Sequence, residues 1–162
     1  MITKKWVVVV TCLIGLLLFG AYESFGARVF IERVGGYDAQ LVNLAKPLLV
    51  NWIEASGNTP TTQRQSADYM LRFSITDATV TRSFNWWVLL LPLWPVIPVT
   101  TVNANVVVSV TITGPDGREV FTDTAGGEAG RWIFGDFYSN NRVKRDAFNQ
   151  AFRRVMVSAY LP

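Results

Sequence analysis

The segment Thr101-Val102-Asn103-Ala104-Asn105-Val106-Val107-Val108-Ser109-Val110-Thr111-Ile112-Thr113 alternates with a period of two. Val102, Ala104, Val106, Val108, Val110 and Ile112 fall on one side, and Asn103, Asn105, Ser109, Thr111 and Thr113 on the other, which is the pattern of a strand buried on one face. Gly114-Pro115-Asp116-Gly117 supplies a turn, and Arg118 to Thr124 reads as the return strand of a hairpin. Upstream, Ala67 to Thr81 alternates in the same way, with Tyr69, Leu71, Phe73 and Ile75 set against Asp68, Arg72, Ser74 and Thr76. Strands of this kind need cover on one face only.

Two helical patterns can supply it. Leu41, Leu44, Ala45, Leu48, Trp52 and Ala55 recur at spacings of three and four, with Asp38 as N-cap and Gly57 suited to a left-handed position after the last turn. Pro47 lies inside this pattern and is expected to kink or divide the helix. The second helix runs from about Arg142 to Tyr160, with Val143, Ala147, Ala151, Phe152, Val155 and Ala159 along one face. A short strand, Ala27 to Val34, precedes the turn pair Gly35-Gly36, while Asn58 to Ser66 reads as a polar link. Gly126-Gly127-Glu128-Ala129-Gly130 reads as a flexible or bulged connection leading to the aromatic residues Trp132, Phe134, Phe137 and Tyr138. The expected fold class is α+β, an antiparallel sheet with two amphipathic helices packed on one face, preceded by an amino-terminal transmembrane helix.

That first helix is read from Lys4 and Lys5 followed by an uncharged run from Trp6 to Tyr22. Such a run is at the short end of what spans a bilayer and longer than a signal-peptide core. Residues 1–26 are thus expected to be a signal anchor, with 27–162 a single periplasmic domain. The two lysines place the amino terminus in the cytoplasm, giving single-pass insertion in the inner membrane, with export after signal cleavage as the alternative. Half of the 162 residues are hydrophobic and 17% are charged, an apolar surplus for one soluble domain. The net charge of +3 is too small a bias for nucleic-acid binding.

Between the two long strands lies the uncharged stretch 84–99, Phe84-Asn85-Trp86-Trp87-Val88-Leu89-Leu90-Leu91-Pro92-Leu93-Trp94-Pro95-Val96-Ile97-Pro98-Val99. Prolines at every third position from Pro92 to Pro98 exclude a regular helix and favour extended backbone. Phe84, Trp86, Trp87 and Trp94 alone carry roughly 600–1,000 Å² of side-chain surface, more than a soluble monomer leaves bare. The cover is the domain itself, a membrane interface, or another protein or copy. The candidate contact residues are Phe84, Trp86, Trp87, Leu90, Leu91, Leu93, Trp94 and Ile97.

Catalytic and metal chemistry has little to draw on. The chain has no histidine, and its one cysteine, Cys12, belongs to the apolar amino-terminal run, so neither a histidine-based nucleophile pair nor a thiolate or imidazole metal site can form. Asp116, Glu119, Asp123, Glu128 and Asp136 lack the spacing of a calcium loop and read as a solvated hairpin face. Arg142, Lys144 and Arg145 open the last helix and mark ordinary surface charge or an anionic partner. No enzyme activity and no cofactor are expected.

Taken in order, "ADYMLRFSITDATVT", the Trp- and Pro-rich stretch, "TVNANVVVSVTITGPDGREVFTDT" and the closing amphipathic helix resemble small bacterial envelope lipoproteins. These include the accessory type similar to the lipopolysaccharide-assembly lipoprotein, and domains similar to the amino-terminal domain of TolB. The acylated cysteine of such lipoproteins ends the apolar run, where this chain has Ala21-Tyr22-Glu23-Ser24. The resemblance implies a membrane-anchored accessory or scaffold subunit of an envelope complex, acting through protein contacts or as a homo-oligomer. The alternative is a lipid-binding or lipid-transport accessory, in which the apolar stretch and the apolar sheet face take membrane lipid.

Overall fold

The alternating segments form three long strands that pair along their whole length, and these set the dimensions of the domain. A computed structural model of the chain describes residues 26–90, 100–133 and 140–161. The element order is β1 (Arg28–Gly36), α1 (Ala39–Ala55), β2 (Thr59–Thr61), β3 (Tyr69–Phe84), β4 (Thr100–Thr113), β5 (Glu119–Ile133) and α2 (Asn140–Ser158). Short 3₁₀ turns lie at Arg64–Ser66 and Trp86–Leu90. The expected transmembrane segment falls on residues 1–25, outside the described residues; among the described residues no helix is long and apolar enough to cross a membrane.

The α+β class and the two helices are as the periodicity predicts, but the sheet is mixed rather than antiparallel. Its order is β2-β1-β3-β4-β5. β3, β4 and β5 form an antiparallel meander, whereas β1 runs parallel to both β2 and β3. The parallel pairs arise because α1 carries the chain back across the sheet after β1, the crossover that a parallel pair requires. β2 lies in the stretch expected to be a polar link, because three residues are too few to show a period.

Gly35 and Gly36, expected as a turn, close β1 instead, opposite Ser74 and Ile75. A bulge between Ile75 and Asp77 explains why the alternation of β3 loses its phase after Thr76. The helix-facing positions shift from Leu71, Phe73 and Ile75 to Ala78 and Val80, and the Thr76 hydroxyl donates to the Val107 carbonyl at 3.2 Å.

One apolar cluster fills the space between the helices and one face of the sheet. Leu71, Phe73, Ile75 and the even-numbered residues Val102 to Val110 of β4 meet Leu41, Ala45, Leu49 and Ile53 of α1, and Val143, Ala147, Phe148, Ala151, Phe152 and Val155 of α2. At its centre Phe73, Phe148 and Phe152 pack with ring centroids 5.7–6.4 Å apart, a spacing that favours edge-on and tilted pairs. The buried stripe of α1 passes through Leu49 and Ile53, so its phase differs from the expected Leu44–Leu48–Ala55 face. Pro47 does not divide α1, which is continuous over Ala39–Ala55; the proline and Asn43, whose carbonyl loses its helical partner, both lie on the exposed side.

Both helix ends follow their local chemistry. Asp38 accepts from the backbone N–H groups of Gln40 and Leu41 at 3.0 and 3.2 Å. Gly57 has φ +76°, and the N–H groups of Gly57 and Asn58 return to the carbonyls of Glu54 and Ile53, closing a Schellman motif. Asp38 also pairs with Lys144 of α2, with both side chains largely buried, so this contact ties the two helices together. Lys144 is thereby taken out of the surface-charge group expected at the start of α2.

Gly126 to Gly130, expected as a loose connection, are the middle of β5. The glycine at 127 is what lets α2 lie against the strand: a Cβ there would stand 2.1 Å from the Ala147 carbonyl oxygen and 2.5 Å from the Ala151 nitrogen. Gly126, on the opposite face, has nothing within 4 Å of the same position. Replacing Gly127 by valine is therefore expected to lower unfolding stability by about 3 kcal/mol or more through overpacking. Gly126→Thr should stay within about 0.5 kcal/mol of the parent in chemical denaturation.

The Lys144 ammonium, followed by the two backbone donors, holds the Asp38 carboxyl below the usual aspartate range despite some burial. A carboxyl lowered in the folded state stabilises the fold above its unfolded pKa, near 3.9, and loses that contribution as pH falls through the folded value. Asp38→Ala should cost about 1–2 kcal/mol at neutral pH. The gap between parent and variant should close below about pH 4, while Asp38→Asn keeps the cap and should track the parent more closely.

Candidate interaction surface

The strands outrun the helices at one end of the sheet. α2 begins beside the row Arg82–Val102–Arg131, where the Arg82 guanidinium donates to the Asn140 side-chain carbonyl at 2.7 and 3.0 Å. Two residue pairs further on, Phe84 pairs with Thr100, and the chain then enters the 3₁₀ turn Trp86–Leu90. Among the described residues the helix layer stops before this row, so neither helix packs on its side chains.

Phe84, Trp86, Trp87 and Leu90, and Trp132 on the other face, are 49–74% exposed. Of the eight residues expected to make contacts, Phe84, Trp86, Trp87 and Leu90 stand together at this end, whereas Leu91, Leu93, Trp94 and Ile97 lie outside the described residues. Leu89 is also exposed. Asn85 anchors the turn, donating from its side-chain amide to the Thr101 hydroxyl at 3.1 Å. Trp132 joins the group because β5 continues through its glycines to Ile133, placing Trp132 opposite Thr101 on the helix-free face. The alternation of Arg131 to Ile133 is too short to show that extension, but continuing the hairpin register from Thr113 past Gly126 would have found it.

The two sheet edges are closed to strand addition. β2 is three residues long and carries Pro60, which has no N–H to donate. Along β5, side chains of α2 occupy outward backbone groups: Arg154 donates to the Gly126 carbonyl at 2.7 Å, and Gln150 accepts from the Glu128 N–H at 2.8 Å. Ser158 bonds Asp123, and Arg131 pairs with Asp146 at 2.9 Å. Of the carboxylates considered as a cation site, Asp136 lies outside the described residues, Asp116 is turned to Arg118 and Asp123 to Ser158. Among the described residues no group of three His, Cys, Asp or Glu side chains could hold a metal ion.

No family model and no curated protein matches the chain. The fold is shared with bacterial lipoproteins of solved structure. Lipoprotein GNA1162 from Neisseria meningitidis is similar over 82% of this chain and 99% of its own, with 8% identity and a TM-score of 0.50. A minor lipoprotein from Acinetobacter baumannii is similar over 81% of this chain and 88% of its own, with 13% identity and a TM-score of 0.51. The coarse resemblance to envelope lipoproteins thus holds at the level of the fold.

Because Trp86 and Trp132 already face outward, Trp86→Ser combined with Trp132→Ser should change unfolding stability by about 1 kcal/mol or less. Denaturation of the full chain in mild detergent checks this; a loss of several kcal/mol would show that the rings are structural.

Proposed function

We propose that the chain is a non-catalytic accessory or scaffold subunit of a bacterial cell-envelope complex. Its amino-terminal apolar segment holds it in the inner membrane, its domain lies in the periplasm, and the apolar end of the sheet binds protein partners. The reading is supported by the shared lipoprotein fold and by the sequence resemblance to the lipopolysaccharide-assembly and TolB amino-terminal accessory types. It is supported further by a side-chain inventory without histidine and with its one cysteine in the apolar leader.

The observation that carries it is the polarity of the sheet. Val29 pairs with Tyr69, so the amino-terminal segment joins the domain at the start of β3, while Phe84 and the exposed tryptophans stand at its other end. Fifteen residue steps of strand separate the two, about 50 Å. Contacts made at that distance from the anchor favour a protein partner over the membrane that carries the anchor. The lipid-carrier alternative is weaker on a second ground, because the apolar sheet face that would take acyl chains is already filled by α1 and α2.

A photo-crosslinking residue placed at position 86 or 90 of the full-length protein in its membrane should give a discrete protein adduct. The same residue at position 122, on the helix-free face at the hairpin end, should give none. Trp86→Ser with Trp132→Ser should abolish co-purification of the adduct's partner. Adducts with lipid alone, or equal yields at all positions, would contradict the proposal.

A further inference from the structure

The helix-free face carries a second feature, separate from the apolar end. In the first of two adjacent cross-strand rows Arg33, Arg72 and Thr111 stand side by side; in the next, Gly35, Ser74 and Ser109. Neighbours within a row are about 4.8 Å apart and the rows about 6.7 Å apart. These residues, with Thr76 and the almost fully exposed Tyr37, line a depression of about 570 Å³.

Two like charges directly opposite each other on neighbouring strands are destabilising unless something lies between them. The local acids do not resolve the pair. Glu32 is shared between Arg72 and Arg64, and Glu119 acts on Arg72. Among the described residues no carboxylate lies within ion-pair distance of Arg33, an exposed side chain. The hydroxyls round the arginines are available as donors. The Ser74 and Ser109 hydroxyls make no hydrogen bond to other described residues, and the Thr111 hydroxyl accepts from Thr122 at 3.2 Å, which leaves its own proton to give. Gly35 contributes no side chain, and the Arg33 guanidinium lies over it, with Nε 3.3 Å from where a Cβ would stand.

We propose that this depression is a binding site for a phosphate group. Arg33 supplies the uncompensated charge, the outer nitrogens of Arg72 supply a second guanidinium, and Ser74, Ser109 and Thr111 supply neutral donors. Guanidinium forks with hydroxyls between them match the several acceptor oxygens of a phosphate, and charge-assisted bonds of this kind are about twice as strong as neutral ones. Carboxylates would engage one fork and leave the serines unused. The phosphate can come from a free anion or from a phospholipid headgroup, the chemistry at the site being the same.

Isothermal titration of the full-length protein in uncharged detergent micelles tests the proposal, with inorganic phosphate in one arm and short-chain phosphatidylglycerol in the other. Saturable binding in either arm is expected, and the arm that binds identifies the source. Arg33→Gln should weaken binding by about tenfold or more, the value of one charged hydrogen bond, and Ser74→Ala by a few-fold. Trp86→Ser with Trp132→Ser should bind as the parent does, so the outcome is independent of the partner surface. Absence of binding in both arms, or an Arg33→Gln variant that binds like the parent while keeping its circular dichroism spectrum, would overturn the assignment.

Discussion

The architecture depends on a mismatch of lengths. β3, β4 and β5 are each 14 to 16 residues long, whereas β1 reaches along only the first half of β3. α2, at 19 residues, rises about 1.5 Å per residue against 3.3 Å for a strand. A helix layer of that length cannot cover the whole meander. It seals the middle, where Gly127 admits it to within contact of the β5 backbone, and it leaves the Phe84 row bare. The exposure of Phe84, Trp86 and Trp87 follows from this geometry, since among the described residues neither helix reaches far enough to pack on them.

Docking of α2 also decides which surfaces remain for other molecules. Its Gln150, Arg154 and Ser158 side chains turn aside the outer edge of β5, and Pro60 interrupts the opposite edge, so the sheet does not offer itself for extension. What remains is spatially divided. An apolar end lies far from the point where the amino-terminal segment enters, and a polar face carries paired arginines and unengaged serines nearer to it. The proposed protein contact at one place and the proposed anion binding at the other require no reacting side chain.

Much of this fold was legible in the sequence, and the failures have physical causes. The β4 alternation, the Gly114–Gly117 turn, the Asp38 cap, the Gly57 stop and the apolar face of α2 were all local signals, and each stands where its period or chemistry put it. The parallel pairing of β1 was not local, because it depends on where α1 returns the chain. The continuation of β5 was hidden because glycine normally weakens a strand. At position 127 its value comes from the helix that crosses there, a tertiary reason that composition does not reveal. At the apolar end, the surface-area argument singles out Phe84, Trp86 and Trp87 as contact candidates, and these three side chains stand exposed. Trp132 entered only through register, and the Arg33–Arg72 pair required knowing that β1 and β3 are neighbours.

The proposed partner surface depends on the separation between the amino-terminal junction and the tryptophan end. Spin labels at Ala27→Cys and Asn85→Cys, in a full-length chain carrying Cys12→Ala, report that separation directly by pulsed dipolar spectroscopy. A distribution centred near about 50 Å is predicted from the strand rise. A distance below about 30 Å, less than ten strand residues, would mean that the two ends lie together and that the tryptophans can reach the membrane at the anchor.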